Sequence, residues 1–323
     1  MRVVHRLSEV DPASRSFVTI GVFDGVHRGH QRIIGGLVEA ASATGDEAVA
    51  ITFDPHPVAV LTDRRPLLLT TVGERIELMA DLGLDTLVVY PFTEEVAETA
   101  AADFVESLLQ HLNLTELWVG PDFKLGHDRE GDIRFLRQLG LERGFSVRLV
   151  DPVEWGGRIV HSSRVREALR QGDIEETTGC LGRPYRLSGV VVHGRGIGRD
   201  MGVPTANISP PPTRLIPASG VYACWAETER WGSFPAAINV GTRPTFTANA
   251  QGLTVEAHLL DFDRSLYDQV LALDFVARLR DERTYPTLNA LVAQLREDIA
   301  QTRALLKEDS RGGSQSSKAS VRA

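Results

Sequence analysis

Two histidines, His27 and His30, stand three residues apart in GVFDGVHRGHQRII, where a β-rich run gives way to a helical pattern. At the start of a helix, free backbone N–H groups and the helix dipole favour an anion. Imidazoles beside that anion can donate hydrogen bonds to non-bridging phosphate oxygens as charge builds in a transition state. Two plainer readings stay open on spacing alone: half of a zinc site, for which no third ligand is supplied locally, or incidental loop histidines. Further along, Thr205 and Asn207 in PTAN alternate onto one strand face. Their neutral oxygens suit Mg²⁺ that also binds ATP phosphates and water. Just before them stand Gly194, Gly196 and Gly198, spaced G-x-G-x-G and followed by PTAN instead of a helix, which excludes a dinucleotide fingerprint. A glycine-rich flap over phosphates and a simple hairpin turn both fit that spacing. In TVEAHLL, Val255, Ala257 and Leu259 face one way while Thr254, Glu256 and His258 face the other. By pattern alone Glu256 is a solvated strand position.

These residues need elements to hold them. From residue 16 to about 150, strand-like runs (16–21, 47–53, 85–92, 116–123, 145–153) alternate with helix-like ones. Ile33, Ile34, Leu37, Val38 and Ala41 recur at helical spacing. Thr71 and Glu74 form a capping box opening a helix that Gly83 could end, and Phe104, Val105, Leu108, Leu109 and Leu112 make another apolar stripe. The alternation predicts a Rossmann-like α/β unit, a parallel doubly wound sheet with its ligands beyond the carboxyl ends of the strands, just after Gly21, Phe53 and Val119. From about Tyr185 closely spaced strands separated by Gly, Pro and Asn turns predict an antiparallel β-barrel or sandwich. A long helix follows with Leu288, Leu291, Val292, Leu295 and Ile299 on one face. The expected domains are 1–182 and 183–307, with a disordered Gly/Ser-rich tail over 308–323.

Composition narrows the classes. The 323 residues are about two ~150-residue domains long and 42% hydrophobic, ordinary for a globular chain. A net charge of −8 argues against nucleic acid as a partner. No signal-peptide or membrane-spanning window appears, and Cys180 and Cys224 make no disulfide framework or metal spacing, so a soluble cytoplasmic protein is expected. Its three lysines, Lys124, Lys307 and Lys318, never follow a glycine, which excludes a Walker A loop.

GVFDGVHRGH resembles the H-x-G-H nucleotidyltransferases and, among them, the FMN adenylyltransferase half of prokaryotic bifunctional FAD synthetases. TFDPHP, VGPDFKLGHDREGD and HSSRVREALRQGD follow in the family's order, with His161 where a serine is usual and Ser163 where a threonine is usual. GVVVHGRGIGRDMGVPTANIS looks like the riboflavin kinase motif, and ASGVYAC, INVGTRPTF, TVEAHLLDF and ALDFVARLRDERTYP continue the match, with Tyr285-Pro286 where Phe and a small or acidic residue are usual. The resemblance implies phosphorylation of riboflavin by MgATP to FMN, then transfer of AMP from a second ATP to FMN, giving FAD and pyrophosphate. In the first domain it implies catalysis by His27 and His30, ATP at Gly21, Phe23, Asp24, Gly29, Ser163 and Arg164, and FMN at Asp54, His56, Asp122 and Phe123. In the second it implies a flap of His193, Gly194, Gly198 and Arg199, metal at Thr205 and Asn207, Glu256 as general base, and Arg280 near the flavin. Two rivals are a flavin-binding regulator without chemistry and an adenylyltransferase of another substrate fused to a structural barrel. The intact His27, His30, Thr205, Asn207 and Glu256 count against the first, and the FDPHP block with the PTAN–Glu256 set against the second.

Overall fold

Short β-rich runs whose residues point apolar groups to both sides need cover on both sides, and the first half of the chain supplies it with helices. The computed structural model describes residues 1–10, 14–62, 65–194, 203–242 and 251–312. Six parallel strands, β1 (Arg2–Val4), β2 (Ser16–Ile20), β3 (Glu47–Asp54), β4 (Thr86–Pro91), β5 (Leu114–Val119) and β6 (Ser146–Leu149), form one sheet in the order β1-β4-β3-β2-β5-β6. Its helices are α1 (Arg28–Thr44), α2 (Pro57–Leu61), α3 (Val72–Ala80), α4 (Glu94–Ala97), α5 (Ala101–Leu112) and α6 (Ile133–Arg143). One core gathers Val18, Ile20, Val49, Ile51 and Val88 with Val105 and Leu108 of α5; the other gathers Phe17, Ala48, Ala50 and Leu87 with Ile34 and Leu37 of α1. Alternate residues of the same strands thus feed opposite faces, as a doubly wound sheet requires. The Thr71–Glu74 capping box is present on both sides, and Gly83 adopts φ +84 just after α3 ends. The short edge strand β1 and helix α6 lie outside the expected elements, although α6 has an Asp132 N-cap, apolar Ile133, Leu136 and Leu139 three residues apart, and a left-handed Gly144 at its end.

A two-stranded hairpin, β7 (Glu154–Trp155) and β8 (Arg158–Ile159), leads to α7 (Ser162–Gln171) and α8 (Ile174–Leu181). Then β9 (Tyr185–Val192), β10 (Ala206–Ser209), β11 (Gly220–Thr228), β12 (Gly232–Thr242), β13 (Leu253–Leu259) and β14 (Val270–Arg280) close an antiparallel barrel in the order β10-β13-β12-β11-β14-β9. Ile208, Val221, Ala236, Ile238, Val240, Val255 and Ala257 are buried residues of these strands. The helix α9 (Leu288–Gly312) ends the described chain.

Two compact units divide between Arg164 and Val165, some eighteen residues before the expected boundary at 182/183. The difference has a local cause: α8 packs on β9 and β14, and Leu169 of α7 accepts a backbone hydrogen bond from Ala218 at 2.9 Å. The last helix also departs from expectation. Leu291, Val292, Leu295 and Ile299 are half-buried as the stripe requires, but Leu288 is exposed and the fully buried positions are Asp298, Thr302 and Leu306. A buried carboxylate is tolerated there because Arg280 reaches it from β14. Residues 308–312, expected in the disordered tail, continue this helix, because elongating a helix already anchored at Leu306 costs little.

Candidate active sites

The turn from β2 into α1 is strained and heavily tied. Phe23 (φ 51) and Val26 (φ 39) lie in the left-handed region that non-glycine residues avoid, and both are buried. Such geometry persists only where surroundings over-determine it. Here Gly25 N–H donates to Thr70 Oγ1 at 3.0 Å, Gln31 Nε2 to the Val26 carbonyl at 2.8 Å, and Ser162 Oγ to the Asp24 carbonyl at 3.0 Å. Asp24, expected among the ATP contacts, turns its carboxylate to the Leu69 and Thr70 N–H groups at 3.0 Å and to Thr70 Oγ1 at 3.1 Å. It is 2% exposed and holds the 69–70 segment beneath the turn.

His27 caps α1, its Nδ1 accepting from His30 N–H at 3.4 Å. The two imidazoles stack, with ring centroids 3.6 Å apart and planes 20° apart, and Phe23 meets His30 edge-on at 5.1 Å. A Cβ on Gly29 would come within 3.1 Å of the His27 ring, so this position has little room for a larger residue. The block 161–164 arrives at the same place. His161 Nδ1 accepts from Arg164 N–H at 3.1 Å and so caps α7, a task that a serine side chain also performs. The Arg164 guanidinium donates to the carbonyls of Trp155 (2.8 Å), Ile159 (3.1 Å) and Arg158. Arg28, the first residue of α1, lies over the Trp155 ring at 5.5 Å. The N-terminus of α1 and the hairpin β7–β8 are thereby joined.

Beyond the carboxyl ends of β2 to β5 opens a cavity of about 830 Å³. Gly21, Asp122 and Phe123 line it, as do Phe53, Phe92 and Phe104. Asp54 and His56 are not among its lining residues, although their neighbours Phe53 and Pro57 are. His56 caps α2 through Nδ1, accepting from Val58 N–H at 3.1 Å. Reading the sequence passed over Lys124, His127 and Arg129 on the cavity wall, whose signal was the density of cations in DFKLGHDREGD. It also missed Arg75, an arginine of α3 that is 1% exposed and donates to Thr52 Oγ1 (2.7 Å) and the Phe53 carbonyl (3.1 Å) at the end of β3. Burial pulls its pKa below the ordinary arginine value, against the opposing charges of Asp24 and Asp54. Among the described residues no group of three or more His, Cys, Asp or Glu side chains could hold a metal ion, which leaves the zinc reading of His27 and His30 without ligands.

In the barrel, cross-strand register does what sequence spacing could not show. Asn207 of β10 stands directly opposite Glu256 of β13, and Glu256 in turn stands opposite Asn239 of β12. Directly opposed residues share a face, with Cβ atoms about 4.5–5.5 Å apart. Their neighbours Ile208, Val255, Ala257, Ile238 and Val240 are buried, so the three polar side chains form a row on the other face. His258, two residues beyond Glu256, places Nδ1 2.8 Å from the Pro204 carbonyl, next to Thr205. A Cβ on Gly194 would fall 2.0 Å from Asn207 Nδ2, so this glycine allows the strand leading out of β9 to approach the amide. His193 stacks on Tyr267 with centroids 3.9 Å apart. Gly198 and Arg199 lie outside the described residues. Arg280, expected near the flavin, pairs with Asp298 of α9 through Nε (2.9 Å) and Nη2 (2.7 Å), and this pairing raises its pKa.

Comparison with known proteins agrees with both halves of this geometry. The FAD synthetase family matches residues 10–164 and the riboflavin kinase family residues 181–306. A bifunctional riboflavin kinase/FMN adenylyltransferase of Pseudomonas fluorescens is 36% identical over 94% of this chain and 98% of its own length. One from Escherichia coli K12 is 35% identical over 92% and 95%. A solved structure described as a macrolide-efflux protein from Streptococcus pneumoniae superposes with a TM-score of 0.84 at 28% identity, over 93% of this chain and 98% of that one. That description is the streptococcal protein's own; no described helix of this chain is long and apolar enough to cross a membrane. With a helix start carrying two stacked histidines in one unit, a carboxylate–carboxamide row in the other, and relatives spanning both, the chain belongs to the bifunctional riboflavin kinase/FMN adenylyltransferase family.

Proposed function

We propose that the two reactions of this family are divided between the two units, with riboflavin phosphorylated on the barrel and FMN adenylylated on the α/β unit. The observation that carries the kinase assignment is the register that sets Glu256 directly opposite Asn207. A carboxylate in that position takes the proton from the ribityl 5′-hydroxyl as its oxygen bonds to the γ-phosphorus and ADP leaves. Thr205 and Asn207 offer hard, neutral oxygens two residues apart beside that carboxylate, a donor set that fits Mg²⁺. When bound, Mg²⁺ supplies charge neutralisation on the phosphates.

On the α/β unit, an FMN phosphate oxygen attacks the α-phosphorus of ATP and pyrophosphate leaves, with no covalent enzyme intermediate. His27 and His30, with the first N–H groups of α1, stabilise charge on the triphosphate. Arg164 acts by keeping the hairpin β7–β8 against that helix start. The aromatic lining of Phe53, Phe92, Phe104 and Phe123 suits the cavity to the isoalloxazine of FMN. We place both reactions in the cytoplasm, where the buried thiols Cys180 and Cys224 stay reduced.

The test is separation of flavins by chromatography after incubation with riboflavin, ATP and Mg²⁺. Wild type should make FMN and then FAD. Glu256→Gln, which keeps the shape of the side chain, should slow FMN formation by roughly 10²–10⁴-fold and leave conversion of supplied FMN to FAD unchanged. A Glu256→Gln protein that phosphorylates riboflavin at the wild-type rate refutes the assignment of the base.

A further inference from the structure

Three strands carry the polar row on the barrel, and the proposed chemistry uses only two of its members. Asn207 lies on one side of Glu256 and Asn239 on the other, each directly opposite it. The nucleotide end of the site is fixed by what surrounds Asn207. Gly194 approaches its amide, and Thr205 stands just before the strand that carries it. With metal and phosphates on the β10 side, the carbon chain of the alcohol has to leave Glu256 toward β12. The first polar side chain on that path is Asn239, half-buried and flanked by the buried Ile238 and Val240.

Beyond Asn239 a second carboxylate covers the same face of the strand. Gly241 follows two residues along β12, and a Cβ there would lie 2.7 Å from Glu282 Oε1 and 3.1 Å from Asn239 Nδ2. The missing side chain lets Glu282 fold over the strand and accept from Thr242 N–H at 3.3 Å. Asn239 therefore lies between two carboxylates on one surface. A carboxamide is both donor and acceptor, which a hydroxyl can match in either sense. A carboxylate and a carboxamide at cross-strand spacing can engage oxygens on adjacent carbons of a polyol.

We propose that Asn239 reads the hydroxyl next to the reactive one, the ribityl 4′-hydroxyl, and so sets the kinase's preference for a vicinal diol. The inference rests on the assignment of Glu256 as the base. A neutral hydrogen bond of this kind is worth up to about tenfold in affinity.

The experiment compares riboflavin with 4′-deoxyriboflavin as kinase substrates on the full-length wild type and on Asn239→Ala, with Glu256→Gln run alongside. Wild type should favour riboflavin by about tenfold in kcat/KM, mostly through KM. Asn239→Ala should raise the riboflavin KM by a similar factor and treat the two substrates alike to within about twofold. A purely structural role for Asn239 would slow both substrates equally and leave the discrimination intact, and that result overturns the proposal. So does a wild type indifferent to the 4′-hydroxyl. If Asn239→Ala fails to fold, Asn239→Thr, which suits a strand and is shorter than the carboxamide, carries the same comparison. If Glu256→Gln keeps wild-type kinase activity, the base assignment falls; if Glu256→Gln is inactive while Asn239→Ala discriminates like wild type, only the proposal for Asn239 falls.

Discussion

Replacing Asp24 separates two roles for one residue, contact with ATP and support of the turn that carries His27. The geometry favours support. Asp24 is 2% exposed and receives the Leu69 and Thr70 N–H groups at 3.0 Å. In Asp24→Ala these two buried donors lose their acceptor, at about 1–3 kcal/mol each. The same change removes an anion acting on Arg75, which is 1% exposed. Leaving a buried charge less compensated costs up to about 3–5 kcal/mol. The terms overlap, because the lost carboxylate serves both, and a combined loss of about 4–6 kcal/mol is expected. Set against a typical domain stability of about 5–15 kcal/mol, that brings the α/β unit close to unfolding. Asp24→Asn keeps one acceptor oxygen and should lose about half as much. Hydrogen exchange at amides of β2 and β3 measures the effect in that unit, and assays of each reaction follow its consequences. The expected result is faster exchange there and weakened FAD formation, with riboflavin phosphorylation retained. If Asp24→Ala leaves exchange unchanged and raises only the KM for ATP, the carboxylate meets the nucleotide and the supporting role is refuted.

Other perturbations test the remaining parts. The double variant His27→Ala/His30→Ala should abolish FAD formation while FMN still accumulates from riboflavin, since each lost oxyanion-type donor costs on the order of 10²–10³ in rate; normal FAD synthesis would move the adenylylation site elsewhere. Gly194→Ala puts a Cβ 2.0 Å from Asn207 Nδ2, so it should displace that amide and cut kinase activity at least tenfold at unchanged thermal stability, as measured by melting and steady-state kinetics. Asp298→Ala strands Arg280, whose side chain is 14% exposed, and should destabilise the barrel unit by about 2–4 kcal/mol in urea titration; a change in riboflavin affinity alone would instead return Arg280 to the flavin.

Much of the architecture was legible because local signals agreed with it. Thr71 and Glu74 announce a helix start and form one, and Ile34, Leu37 and Ala41 share a face because helical spacing puts them there. The strands of the barrel alternate as their residues suggest, so the outward position of Glu256 could be read directly. Its neighbours could not. Alternation assigns a residue to a face, whereas register between strands distant in sequence decides who stands beside it. Asn239 lies 17 positions before Glu256 in sequence yet directly across from it, within INVGTRPTF, where nothing in the pattern distinguishes it from a turn-flanking polar residue. Asp298 and Arg75 failed for a related reason. Each looks like a charge on a solvated helix face, and each is buried because a partner from another element, Arg280 for one and the end of β3 for the other, comes to meet it.

The use of arginine links these observations. Only three of the 35 basic residues are lysines. Several arginines spend their donors on backbone carbonyls at the ends of elements: Arg75 on Phe53, Arg164 on Trp155 and Ile159, Arg278 on Ser219, Arg280 on Asp281. A planar fork with five N–H donors can hold two or three carbonyls in one arrangement, which an ammonium on a flexible stem does poorly. The guanidinium groups thus act as clamps that fix loops at the carboxyl ends of strands and at the opening of α7. On the proposed assignment, the substrate anions meet what those loops present: stacked imidazoles and helix N–H groups. On this account Arg164→Lys keeps the charge and loses the clamp, so adenylylation should fall about as far as in Arg164→Ala. Near-normal FAD formation in Arg164→Lys would show that charge, and not the geometry of the fork, is what the site requires.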